Sequence, residues 1–211
     1  MIRTPDLKLE EGLWRSGLRF VAGLDEAGRG ALAGPVAVGA VILPEDTTDL
    51  LGELQGVRDS KMMTARARGR LRPVIEVCAL YWGVGFASAP EIDEMGIVAA
   101  TRLAALRALE KMPVFPQFLL TDFRLELPEL DIPQTALVKG DQKCLSIAAA
   151  SVLAKTRRDE HLCALEKDFP GYGLARHKGY GTRIHREAIR ARGYCAEHRR
   201  TFTFKPVESS H

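Results

Sequence analysis

Four acidic side chains occupy positions where folding alone does not call for acids. Asp25 and Glu26 stand together at the end of a short apolar run, Asp122 ends a second such run (FLLTD), and Asp141 lies just ahead of a long helical stretch. Strand ends and helix starts are where a sheet protein presents groups to a ligand. Carboxylates brought close together repel, and they stay ionised when a cation sits among them. All-oxygen ligation favours a hard ion, Mg2+ or Mn2+, over zinc. Such a site suits phosphodiester hydrolysis with two ions roughly 4 Å apart, one activating water and the other stabilising the leaving oxygen. Taken singly, Asp141 reads equally as a helix N-cap and Asp122 as a turn residue. Convergence of the four is therefore an expectation about the fold.

The acids Asp25 and Glu26 run directly into a Gly-rich stretch, EAGRGALAG. Gly28, Gly30 and Ala33 satisfy the G-x-G-x-x-A form of the dinucleotide fingerprint, but that fingerprint needs a helix to open at once with its N-terminus on the pyrophosphate. Here Pro35 and a β-branched run follow, and two carboxylates precede the glycines. A nicotinamide or flavin site is set aside on those grounds.

The elements that must position these residues can be read along the chain. Residues 7–16 read as a short helix, Phe20–Asp25 as a strand and Pro35–Leu43 as a second strand paired with it in a hairpin. Ser60 is a candidate cap for a helix through KMMTARARGRLRPVIEVCA, kinked or divided at Pro73. Leu80–Ser88 reads as a strand, Pro90–Met112 as a helix, Phe118–Asp122 and Thr135–Val138 as strands, Leu145–Asp168 as a long helix and 182–193 as a last one. The small face Ala148–Ser151 would let the long helix approach a sheet closely. A hairpin followed by crossover helices predicts an α/β fold, a mixed central sheet flanked by helices.

Composition narrows the function class. The chain has 211 residues, 46% of them apolar and 27% charged, which is ordinary for a globular protein. Thirty Lys and Arg against 27 Asp and Glu leave a formal charge of +3, too small by itself to predict a polyanionic partner. The basic residues are nonetheless concentrated from Lys155 onward, as a surface for a phosphate backbone would be. The cysteines, Cys78, Cys144, Cys163 and Cys195, form no C-x-x-C pair and read as reduced packing residues. Neither a signal peptide nor an apolar run long enough to cross a bilayer is present, so a cytoplasmic protein without membrane association is expected.

With these motifs assembled, the sequence closely resembles the bacterial ribonuclease HII, or type 2 ribonuclease H, family. The resemblance runs roughly from Leu9 to Phe204 and rests on six motifs in order: VAGLDEAGRGALAGPVAVGAVIL (21–43), DSK (59–61), LLTD (119–122), KGDQKCLSIAAASVLAKTRRD (139–159), YGLARHKGYGT (172–182) and EHRRTF (197–202). It implies a ribonuclease H-like fold over 1–211, with a small helical, substrate-contacting part from about 170. It implies an endoribonuclease that cleaves the RNA strand of RNA–DNA hybrids and nicks 5′ of single ribonucleotides in duplex DNA. The products would carry 3′-OH and 5′-phosphate ends, and two Mn2+ or Mg2+ ions would serve.

The family's four-carboxylate site, catalytic and metal-binding, carries over onto Asp25, Glu26, Asp122 and Asp141. Its GRG motif falls on Gly28, Arg29 and Gly30, and its sugar-sensing tyrosine on Tyr180, with Tyr172 the other candidate. Lys61, Lys143 and Lys178, with Lys155, are expected phosphate contacts. The partners implied are the hybrid and the ribonucleotide-containing duplex, with no obligate protein partner. One departure stands out: many members have Gly-Asn after the third acid, where this chain has Phe123-Arg124. Two other readings remain for test, a nucleic-acid-binding module whose acids hold a structural ion and another nuclease of the same fold.

Overall fold

The computed structural model describes residues 4–123 and 125–203. Arg124, and the end of the chain with its segment KPVESSH, lie outside the described residues. Five strands form one mixed sheet: β1 (Val21–Ala27), β2 (Val36–Ile42), β3 (Tyr81–Ala87), β4 (Phe118–Asp122) and β5 (Gln134–Leu137). Their spatial order is β3-β2-β1-β4-β5. The first three are antiparallel neighbours, while β4 runs parallel to β1 and β5 parallel to β4. Every residue of β2 is buried, as its unbroken apolar sequence requires of a strand covered on both faces.

Among the described residues seven helices accompany the sheet: α1 (Lys8–Arg15), α2 (Leu50–Glu53), α3 (Ala65–Cys78), α4 (Ala89–Leu109), α5 (Leu145–Asp168), α6 (Leu174–His177) and α7 (Arg183–Arg192). On one face, Ala37, Val41 and Val84 pack against Ala148, Ala149, Ala150 and Val152 of α5. On the other, Val36, Val38, Ala40 and Ile42 meet Ala100, Ala104, Ala105 and Ala108 of α4. The small stretch of α5 does allow close approach: a Cβ on Gly39 of β2 would lie 2.3 Å from the Ala150 carbonyl oxygen. A smaller cluster, Ala33, Leu162, Leu165, Tyr172 and Leu174, ties the segment after α5 to the loop between β1 and β2.

Some boundaries differ from the sequence reading for local reasons. Ser60 does not cap α3. Residues Ser60–Met62 form a 3-10 turn capped by Asp59, and Thr64 caps α3 by accepting from the Ala67 N–H. The Ser60 hydroxyl instead accepts from Ser151 on α5, at 2.8 Å. Pro73 neither divides nor ends α3, which continues to Cys78. α4 opens on a capping box between Ser88 and Glu91 and breaks at Gly96, whose φ of 81° no helix accommodates. The short α2 and α6 have no periodic signal long enough to announce them.

Candidate active site

The register of the sheet brings the acids together. Leu24 of β1 pairs with Thr121 of β4, so Asp25 and Asp122, one residue further along parallel strands, are neighbours. Asp25 lies opposite Gly39 on its other side. From the end of β4, the Asp122 carboxylate accepts the N–H of Gly140 at 2.7 Å. Gly140 opens a 3-10 turn, Gly140–Gln142, that carries Asp141 into the start of α5. Asp141 is not the cap of α5, since Cys144 holds that position. The ends of two parallel strands and the turn that leads into a helix thus lie side by side.

Burial and the repulsion of neighbouring carboxylates act on Asp25, Glu26 and Asp141. Asp25 is 1% exposed and Asp141 4%. Burial, then the charge of Glu26, pushes the Asp25 carboxyl well above the usual carboxylate range, with Asp122 adding to the rise and Ser151 and Lys61 opposing it. Glu26 is raised by burial and by Asp122, against the pull of Arg29, whose guanidinium lies 3.8 Å away. Asp141 is pushed up to about 7 by burial and by the charges of Asp59 and Asp122. Burial disfavours the Lys61 cation, but the fields of Asp25, Asp59, Asp141 and Glu26 more than offset it and raise the ammonium overall.

These groups fit a divalent cation. Among the described residues the Oδ2 of Asp25 and the Oε2 of Glu26 are buried without a hydrogen-bond partner, and an orphaned carboxylate oxygen is costly unless a cation serves it. The donors are all carboxylate oxygens, the set that hard cations prefer. Among the described residues no three His, Cys, Asp or Glu side chains are yet arranged to enclose an ion. The fit therefore rests on the chemistry of the donors and on the two orphaned oxygens.

Beside the acids lies a cleft of about 170 Å³ lined by Glu26, Ala27, Gly28, Arg29, Gly30, Ser60, Lys61, Lys155 and Tyr180. Gly28 is needed by the protein itself: its φ is +86°, and a Cβ there would lie 1.8 Å from Nε of Arg158. Gly30 is different, because a Cβ there would meet nothing within 4 Å. The backbone N–H groups of Arg29 and Gly30 have no hydrogen-bond partner among the described residues. Tyr180 is exposed at the cleft, with Lys155 Nζ 5.3 Å and the Arg158 guanidinium 5.5 Å from its ring centre. Tyr172 is buried away from it, donating its hydroxyl to the Gly193 carbonyl and packing on His198.

The expected lysines divide. Lys61 and Lys155 line the cleft. Lys143 follows the Asp141 turn without lining it. Lys178 lines a separate cleft beside Cys163, its ammonium donating to the Ala175 carbonyl and 3.0 Å from Cys163 Sγ.

Sequence reasoning missed three features. Asp59 is a fifth acid at the site, held by the Lys61 N–H and 8% exposed. Arg158 and Arg199, two members of the basic C-terminal third, are fully buried rather than presented to a ligand. Arg158 donates to the carbonyls of Ala33, Pro35 and Lys178, and Arg199 to those of Gly28, Arg29 and Gly34. Together they clamp the loop that carries Gly28–Gly30.

Comparison with known proteins decides the family. A family model described as Ribonuclease HII matches residues 22–205. The chain belongs to the ribonuclease HII family. It is 49% identical over 201 residues to a ribonuclease HII of Dehalococcoides mccartyi, covering 95% of this chain and 92% of that one. It is 50% identical over 190 residues to the ribonuclease HII of Parabacteroides distasonis, covering 90% and 93%. A solved structure, the PCNA:RNase HII complex from Archaeoglobus fulgidus, contains a chain that matches with a TM-score of 0.71 at 27% identity, over 89% of this chain and 97% of that one. The mixed sheet and its helices are therefore a ribonuclease H-like α/β fold, and the activity is that of a ribonuclease H, an endonuclease. Among the described residues no helix is long and apolar enough to cross a membrane.

Proposed function

We propose that this member of the ribonuclease HII family cuts the RNA strand of RNA–DNA hybrids and nicks duplex DNA on the 5′ side of a single ribonucleotide, leaving 3′-OH and 5′-phosphate ends. Asp25, Glu26, Asp122 and Asp141 hold two divalent ions, Mn2+ or Mg2+. The enzyme works in the cytoplasm as one catalytic domain, whose part from about residue 170 helps to hold the duplex. The observation that carries the reading is the meeting of these carboxylates, two of them with orphaned buried oxygens, beside an open glycine loop and an exposed tyrosine. When bound, the ions supply a nucleophile from water and neutralise charge on the leaving oxygen.

The chain's own groups do the recognising. A 2′-OH is the one local mark of a ribonucleotide, and it both donates and accepts hydrogen bonds. The free N–H groups of Arg29 and Gly30 are donors for it, and Gly30 puts no Cβ in the way of the sugar. Tyr180 presents its ring to the neighbouring deoxyribose, so that the RNA-to-DNA step is read. Lys61 and Lys155 take the nearest phosphates, and Lys143 and Lys178 contact the backbone further out. Such contacts fix the duplex without reading bases.

The test incubates the protein with duplex DNA containing one ribonucleotide, with Mn2+, with Mg2+ or with EDTA. A nick on the 5′ side of the ribonucleotide, present with metal and absent with EDTA, is expected. No metal-dependent nick would favour a binding module, and all-DNA branched substrates cut equally fast would favour another nuclease of the same fold.

A further inference from the structure

Three of the five histidines, His177, His185 and His198, are buried at 9%, 0% and 1% exposure and touch one another behind Tyr180. The rings of His177 and His185 stack with centres 4.2 Å apart, and His185 Nε2 lies 3.2 Å from His198 Nε2. Their neighbours fix where the protons are. His198 Nδ1 faces the N–H of Cys195 at 3.0 Å and must accept, so its proton is on Nε2 and is donated to His185 Nε2. The His185 proton is then on Nδ1, donated to the Tyr180 carbonyl at 3.0 Å. His177 Nδ1 accepts from the Gly179 N–H at 3.2 Å, and its Nε2–H goes to the Tyr172 carbonyl at 2.8 Å. All six ring nitrogens are matched, donor to acceptor, only when all three rings are neutral and in these tautomers.

The outcome falls on the segment that presents the tyrosine. His177 holds the amide of Gly179 and His185 holds the carbonyl of Tyr180. On its other side the Gly179 carbonyl accepts from the N–H groups of Leu32 and Ala33, so the same residue is fastened to the loop that begins at Gly28. A Cβ on Gly179 would lie 2.1 Å from the Ala33 carbonyl oxygen, which leaves no room for slippage. We infer that the His177–His185–His198 chain consists of positioning residues, whose neutral, ordered tautomers set the distance between the Tyr180 ring and the Gly28–Gly30 loop and so serve the reading of a single ribonucleotide. This rests on the proposal above that Tyr180 meets the sugar.

The surroundings keep the chain neutral. Lys178 and Arg176 flank His177, with Glu166 and the hydrogen bond to the Tyr172 carbonyl opposing, Arg200 faces His198, the Cys195 thiol bonds to His198 Nδ1 with Glu197 beside it, and Arg158 and Arg199 lie against Tyr180. Burial, with His177 and His198 beside it, holds His185 down at about 4.

The experiment measures cleavage of the single-ribonucleotide duplex by His185→Leu, His185→Asn, Tyr180→Ala and the His185→Leu/Tyr180→Ala double variant. Leu removes both ring contacts, whereas the Asn amide keeps a donor near the Nδ1 position. Expected are a kcat about ten-fold lower for His185→Leu, most of that recovered in His185→Asn, and no further loss from His185→Leu once Tyr180 is Ala. Equal losses from His185→Leu with and without Tyr180 would overturn the inference while leaving the tyrosine's role standing. A Tyr180→Ala enzyme that nicks as fast as the parent would remove the tyrosine reading itself, and the inference with it. Should His185→Leu not fold, side-chain 15N NMR of the unmodified protein decides: protons on Nε2 of His177, Nδ1 of His185 and Nε2 of His198 are expected, and any other pattern refutes the chain.

Discussion

Arg199→Leu offers the sharpest test of how the glycine loop is held. Arg199 is fully buried and spends its guanidinium on the carbonyls of Gly28, Arg29 and Gly34, at 2.8, 2.9 and 3.0 Å. Gly28 keeps a second partner in the Ala31 N–H, whereas the Arg29 and Gly34 carbonyls have no other among the described residues. Leaving two such carbonyls unsatisfied costs about 2–6 kcal/mol at about 1–3 each. Against that, the cation sits in an unfavourable place, since burial and the nearby Arg158 pull its pKa down to about 9, and Leu relieves that cost. The net expectation is a loss of roughly 2–4 kcal/mol, or about 5–15 °C in melting temperature for a chain of this size. Cleavage should suffer more than stability, by about 100-fold or more at a temperature where the variant is folded, because the loop that meets the sugar loses its anchor. Arg199→Lys should recover little, since one ammonium cannot reach three carbonyls in a fork. Thermal unfolding followed by steady-state cleavage well below the transition measures both. A variant that melts within 2 °C of the parent and cuts normally would refute the anchoring argument.

Gly28→Ala and Gly30→Ala should separate. The first forces a Cβ into Arg158 at a left-handed φ and should lower the melting temperature and the activity together, whereas the second should melt as the parent does and yet cut single-ribonucleotide duplexes poorly. With EDTA present, Asp141→Asn should stabilise the protein at pH 8. The Asp141 carboxyl is raised from 3.8 to about 7, so its repulsion grows as pH rises through that window and is fully felt above it, an upper bound of roughly 4 kcal/mol that urea titration would read. His185 works in the opposite sense. Its pKa is lowered from 6.5 to about 4, so the stability of the neutral ring is complete above 6.5 and fades on acidification towards 4, by roughly 3 kcal/mol; His185→Asn should flatten the acid limb of the stability curve by that amount. Asp25→Asn should abolish cleavage while leaving hybrid binding in a gel-shift assay largely intact.

The acids were legible because each ends a short apolar run or precedes a long helical one, where the sequence offers few folding reasons for a charge. The mixed sheet followed from the same runs, and the small residues of Ala148–Ser151 announced a helix lying close on strands. What stayed hidden depended on contacts distant in sequence. Ser60 and Thr64 are equally good caps by type, and only Ser151, 91 residues on, decides that Ser60 is engaged elsewhere. Asp59 joins the site through that same turn. Arg158 and Arg199 looked like surface cations because charge patterning cannot see that six backbone carbonyls converge on them. The hydrogen bonds among the buried histidines exist only once α6, α7 and the segment after them are packed together.

The central claim is that carboxylates from separate strands and a helix start act on one set of ions. Mn2+ binding, followed by calorimetry or electron paramagnetic resonance, tests it most directly when Asp122→Asn is compared with the parent protein. Asp122 shares no stretch of chain with Asp25 and Glu26, so a large drop in Mn2+ affinity is the result predicted here. Undiminished Mn2+ binding by Asp122→Asn, at the same stoichiometry as the parent, would contradict the account.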